Sequence, residues 1–234
     1  MSGSTTIARV WSGLLLAALL AACGANTVKV EGNFPTPVME KIPLTLGVYY
    51  DPGFRSHTFE EINTGNSDPD WIVQTGQSQV QMYNTLLKGM FAKVVLLNEI
   101  PRKNRVAAVG AKGVDAVLVP HVDELQYTIP RQTRVKVFEI WMRYRYQLYD
   151  PNGELLADWT MSSYGKTPTA FLQSDTDAVN LAAVVALRDA GANFALNFSA
   201  VPEVKMWMDT LKTRPPAASK QTVSNSGDAV EALQ

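Results

Sequence analysis

The 234-residue chain predicts an α/β domain: a mixed sheet, with parallel strands plus a long antiparallel hairpin, packed against helices. Three observations carry this. Short apolar runs alternate with helix-period segments from Pro43 to Pro120, which argues parallel pairing. A strict period-two stretch follows from Phe138 to Leu148, and Asp150-Pro151-Asn152-Gly153 turns the chain back. An alanine-rich apolar run, Ala178 to about Phe198, then supplies a covering helix.

In chain order, Leu44–Tyr50 reads as the first strand, ended by the turn signal Asp51-Pro52-Gly53. An irregular segment runs to about Pro69. Ile72, Gly76, Val80, Tyr83, Leu87 and Met90 recur at three- and four-residue steps, a helix whose start Asp68 or Asp70 can cap. Lys93–Leu97 is a short apolar strand. Val106–Lys112 reads as a short helix with Gly113 just past its end, and Val114–Pro120 as a buried strand. In the hairpin, Phe138, Ile140, Met142, Tyr144, Tyr146 and Leu148 share one face, with Leu155, Ala157, Trp159 and Met161 as their counterparts on the returning strand. Asp175 and Asp177 sit where the long helix begins, favourable near its positive end. Pro202 opens a last helix through Leu211.

The ends differ in kind from this patterned region. Before Cys23 stand one charged side chain, Arg9, an apolar stretch from Gly13 to Ala22, and the small-residue exit Leu20-Ala21-Ala22. The apolar stretch is about half the ~20 residues of a membrane span. Cys23 is the sole cysteine, so no intramolecular disulfide can form. Leu20-Ala21-Ala22-Cys23-Gly24 resembles the bacterial lipobox. That resemblance implies a signal peptide over 1–22, diacylglycerol and palmitate on Cys23, and a periplasm-facing address. Gly24 stands where the family's inner-membrane retention signal usually places Asp, so the implied destination is the outer membrane. Residues 23–42, with Pro35 and Pro37, read as the lipidated Cys and a tether, about 70 Å at most when extended. Residues 43–211 read as the periplasmic α/β domain. Residues 212–234, opening with Thr213-Arg214-Pro215-Pro216, read as a disordered tail.

Net charge is -1 for the whole chain and about -2 once Arg9 leaves with the signal, which gives no electrostatic basis for binding nucleic acid. No catalytic constellation, metal site or cofactor motif is found. Gly110-Ala111-Lys112-Gly113 lacks the length of a phosphate loop and its Ser or Thr. Gly76-Gln77-Ser78-Gln79-Val80 lacks the second Gly of a nucleophile elbow. His57 lies near Glu60 and Glu61, a set read as solvated rather than metal-binding; His121 reads as a hydrogen-bonded structural residue, and Asp123 and Glu124 as surface charges. Trp141, Arg143 and Arg145 share the polar face of the long strand. They read first as a solvated face paired to Asp158 or Glu154. The alternative is a binding surface for an anionic headgroup, a polysaccharide or a partner protein. Spanning a membrane with this hairpin would require Arg143, Arg145, Glu154 and Asp158 all to face a lumen, so a half-buried sheet is favoured. Arg188, Asp189, Asn193 and Asn197 likewise mark the long helix as a core helix.

Three stretches carry a wider resemblance: the Gln77–Phe91 helix running into Lys93–Leu97, Gly113–Pro120, and the Asp150–Gly153 hairpin followed by the alanine-rich helix. Together they look like the periplasmic α/β lipoproteins of envelope machines: the curli secretion lipoprotein, the Pel export lipoprotein and the N-terminal domain of the Tol-system propeller protein. The resemblance implies a non-enzymatic scaffold or assembly factor of an envelope-spanning complex, held to the outer membrane by its lipid, with envelope protein partners and a homo-oligomer as candidate assemblies. The alternative is an accessory lipoprotein that binds a lipid or glycan.

Overall fold

A computed structural model describes residues 25–62, 70–100, 113–128, 137–168 and 174–213. Strands are β1 (Asn26–Lys29), β2 (Ile42–Val48), β3 (Thr58–Glu61), β4 (Trp71–Gln74), β5 (Phe91–Leu96), β6 (Ala116–Thr128), β7 (Val137–Tyr149) and β8 (Leu155–Pro168). Helices are α1 (Pro52–Arg55), α2 (Gly76–Met90), α3 (Asp175–Asn197) and α4 (Pro202–Thr213). A five-stranded sheet has the order β5-β2-β6-β7-β8, parallel in its first half and antiparallel in the hairpin half. A three-stranded sheet, β1-β4-β3, is also mixed. The expected fold class is the one observed.

The hairpin forms as its alternation requires. Phe138, Ile140, Met142, Tyr144, Tyr146 and Leu148 are all buried, and the residues between them are half-buried or exposed. Above that inner face lie α2 and α3. Tyr146 stacks on Trp159 at 5.3 Å and meets Phe194 at 5.0 Å, while Tyr83 meets Phe194 edge-on at 90°. The space beneath the hairpin is therefore filled by rings. At Gly165 α3 lies close against β8: a Cβ there would overlap the Ala182 carbonyl oxygen. Ser174 caps α3 by accepting from the Asp177 amide, and Asp175 and Asp177 occupy its first turn. The helix is long and apolar enough to cross a membrane, yet Ala182, Ala183, Ala186 and Leu187 are fully buried in the core.

Several expectations are corrected. The stretch read as a tether is folded from Asn26 onward. Strand β1 pairs in parallel with β4, Val28, Val30 and Phe34 are buried, and residues 31–33 lie along α3. Asn180 both accepts from the Glu31 amide (2.8 Å) and donates to the Glu31 carbonyl (3.2 Å). Arg188 donates to the Asn33 carbonyl through Nε (3.1 Å) and Nη2 (2.8 Å). A segment without a sustained period is thus held by partners from a distant helix. The Asp51-Pro52-Gly53 turn opens the one-turn helix α1, with Asp51 accepting from the Phe54 amide. Part of the irregular segment is strand β3, and Trp71–Gln74 is strand β4 rather than the first turn of α2. Helix α2 starts after Thr75, whose side chain bonds His57 instead of capping it, so Asp70 is not at its cap. Gly76 is required there, because a Cβ would overlap the Arg55 carbonyl oxygen. Leu155, expected on the buried side, is 51% exposed, because the register shifts between Leu148 and Tyr149 and moves the start of β8 by one residue. Cys23, the signal peptide, the Val106–Lys112 helix, Asp68 and the chain beyond Thr213 lie outside the described residues.

Candidate functional site

The outer face of β6–β7–β8 collects the side chains that the sequence offered as a surface. Period two in β7 places Trp141, Arg143 and Arg145 there together, opposite Tyr164, Ser162 and Thr160 of β8. Arg145 grips Asp158 with two parallel bonds, Nε to Oδ1 at 2.8 Å and Nη2 to Oδ2 at 2.6 Å, and Gln147 adds a third to the same carboxylate at 3.0 Å. Hydrogen bonding from Arg145 holds the Asp158 carboxyl below its usual range, and the same pair raises the guanidinium. Arg143 Nη2 pairs with Glu124 at 2.9 Å, and its guanidinium lies 5.9 Å from the Trp141 ring centroid. The Tyr164 hydroxyl donates to Glu139 at 2.7 Å, a bond that pushes it up to about 12.

Of the two expected partners for this arginine pair, Asp158 engages Arg145, while the carboxylate on Arg143 is Glu124. A bulge explains Glu124. The β6–β7 register shifts between Val122 and Glu124, so strict alternation fails and Glu124 comes to stand opposite Arg143. Asp123 is also close enough to act electrostatically on Arg145. Both guanidiniums on this face therefore sit among carboxylates. What the face presents beyond paired charge is aromatic: Trp141, half-buried, and Tyr164, 42% exposed. Sequence reasoning missed Tyr164; its period-two offset from Trp159 marked it as outward.

The histidines are placed apart. His57 Nδ1 bonds the Thr75 hydroxyl at 2.7 Å, and burial lowers its pKa. His121 Nδ1 pairs with Asp51 at 2.9 Å, which ties β6 to the α1 cap as a structural contact. Among the described residues no three His, Cys, Asp or Glu side chains converge as a metal site. Tyr83 and Tyr146 bond each other through their hydroxyls, and Tyr144 donates to Gln79 at 3.2 Å. Burial raises all three phenols, which keeps them neutral and structural.

With this geometry in hand, the fold can be matched to known ones. A Xanthomonas campestris protein of family DUF330 superimposes with a TM-score of 0.50 at 13% identity, over 80% of this chain and 99% of that one. The two share a fold. A minor lipoprotein from Acinetobacter baumannii (TM-score 0.36, 12% identity, 69% and 94% covered) is more distant. So is a PelC dodecamer subunit from Paraburkholderia phytofirmans (0.30, 16%, 68% and 95%), and neither adds to the assignment. No protein-family model matches the sequence, and no curated protein matches it significantly.

Proposed function

We propose that this chain is an outer-membrane lipoprotein, acylated on Cys23, whose periplasmic domain is a non-catalytic scaffold or assembly factor of an envelope-spanning export or assembly complex. The observation that carries the docking role is the outer hairpin face. The helices that pack on the hairpin lie on its inner face, while Trp141, Tyr164, Arg143 and Arg145 stand at the surface. An aromatic pair ringed by compensated charge suits a protein partner, where Trp, Tyr and Arg serve as anchors. Because carboxylates sit beside both guanidiniums, the surface fits an anionic headgroup poorly. The folding of residues 26–37 onto the domain shortens the free tether, which favours a partner close to the membrane.

A second reading, an accessory protein that binds a lipid or glycan, rests on a separate apolar pocket between the 34–37 segment and two helices. The scaffold reading is tested by metabolic labelling with an alkynyl palmitate, followed by extraction in mild detergent. Wild type should carry label, fractionate with the outer membrane and size as a complex, and Cys23→Ser should lose all three. A labelled protein that elutes only as a monomer would remove the assembly role.

A further inference from the structure

The pocket between the 34–37 segment, α2 and α3 has a volume of about 230 Å³. Met82 and Leu86 form its α2 wall, Gly191 and Ala195 its α3 floor, and Phe34 and Pro37 its third side. Small residues on α3 create the room: at Gly191, a single added Cβ would already stand 3.0 Å from the Met82 sulfur. Pro37 is seated against Gly89, where a Cβ would meet its ring at 2.6 Å, so the third side is held in place.

Among the described residues one charged side chain, Arg188, lines this apolar space. Its position is fixed rather than floppy, because Nε and Nη2 both donate to the Asn33 carbonyl. A guanidinium has five N–H donors, and these bonds anchor the fork at the rim of the pocket. Unlike Arg143 and Arg145, Arg188 has no carboxylate among the described residues that share its site. The neighbouring Asp189 is turned to the other side of α3, where it accepts from the Tyr164 amide at 3.0 Å and from Asn193 at 3.2 Å.

We propose that this pocket binds the chain of a fatty acid, with its carboxylate on Arg188. Size and charge both select that ligand. The volume exceeds the ~150 Å³ of a dry cavity that takes up benzene, yet falls short of the ~300 Å³ at which sites for drug-sized ligands begin. It therefore admits a segment of one chain and not a two-chain lipid. A carboxylate matches the planar fork of an arginine. The acyl groups proposed on Cys23 are not the occupant. Strand β1 pairs along β4 from Asn26 to Lys29, the chain then runs beside α3 from Glu31 to Asn33, and the nine steps from Ala25 to Phe34 span up to about 30 Å at ~3.3 Å per residue. One acyl chain spans about half of a ~30 Å hydrocarbon core. The inference gives the second functional reading, on which it rests, a ligand class and a place; it is independent of the docking face.

The test uses the full chain in lipid nanodiscs and a photoreactive dodecanoate, with insertion mapped by peptide mass spectrometry. Label should concentrate on residues 34–37, Met82–Leu86 and Gly191–Ala195. Excess dodecanoate should compete it away, and dodecyltrimethylammonium should not. Arg188→Gln should lower labelling about tenfold, Arg188→Lys should retain much of it, and Ala192→Phe should block it with the melting midpoint unchanged. If Ala192→Phe does not fold, Ala195→Phe serves in its place. Label spread over the surface, label undiminished by both Arg188→Gln and the pocket-filling variant, or equal competition by the ammonium would each overturn the proposal. A protein that is acylated and assembled but shows no mapped label would leave the scaffold role standing and remove this site alone.

Discussion

The two faces of β7 are made by the same thirteen residues and have opposite characters. Inward, every second side chain is large and buried, and Tyr144 and Tyr146 at the centre are packed by rings from α2, α3 and β8. Outward, the alternate positions carry paired charges and aromatics at the surface. Stability therefore resides on one face. The other tolerates change, so any constraint on its residues comes from what it contacts. Substitutions across the two faces should separate stability from assembly.

The largest effect is expected where α3 touches β8. Gly165→Val drives a side chain into the Ala182 backbone, and the loss should exceed about 4 kcal/mol, seen as failure to give a cooperative melt. Next comes the ring cluster: Tyr146→Ala removes the stacking partner of Trp159 and leaves the Tyr83 hydroxyl without this contact. Its cost should be about 3–5 kcal/mol, a fall of about 10 °C or more in melting midpoint. A core that absorbed this change with a shift of a degree or two would break the contrast between the faces.

A pH effect of intermediate size belongs to His57. Burial lowers the imidazole pKa below its ordinary 6.5, so the unfolded chain binds the proton more readily than the folded one. Its contribution is full above about pH 6.5 and is lost as pH falls toward the lowered folded value. Stability of the wild type should drop on acidification through this range, and His57→Gln, which can keep a bond to Thr75, should flatten the slope. An identical slope in the variant would show that the imidazole is not the group responsible. The smallest effect is on the outer face. Arg145→Ala removes an exposed ion pair, and the midpoint near neutral pH should move by less than about 2 °C. The pair's small contribution, present above the ordinary Asp range, fades as pH falls through the depressed pKa of Asp158, so the variant and wild type should converge in acid.

Much of this contrast was legible in the sequence, because period two in β7 separates Tyr144 and Tyr146 from Arg143 and Arg145 without reference to any other element. Helix α3 was legible for a similar reason, with its acidic start and alanine-rich body both local. What escaped depends on distant partners. Val28 and Val30 alternate with polar neighbours, but two residues are too short a pattern, and the pairing with Trp71–Gln74 and the bonds from Asn180 and Arg188 show why that stretch is ordered. The β4–α2 boundary was hidden because Ile72, Gly76 and Val80 fall four apart and continue the helical spacing backward through a strand. The bulges at Val122 and Leu148 exchange faces for Glu124 and Leu155, and no local residue announces them. On the surface, Trp141, Arg143 and Arg145 were found from alternation alone; the carboxylate on Arg143 and the pocket at Arg188 required the fold.

Docking through the outer hairpin face is tested by a photocrosslinking amino acid at Trp141 in living cells, with the same probe at Glu203 on α4 as reference. Docking through this face should give a discrete high-mass adduct from position 141, absent from position 203 and lost when Cys23→Ser removes the anchor. Equal crosslinking from both positions, or none from 141 in a fully acylated protein, would contradict it.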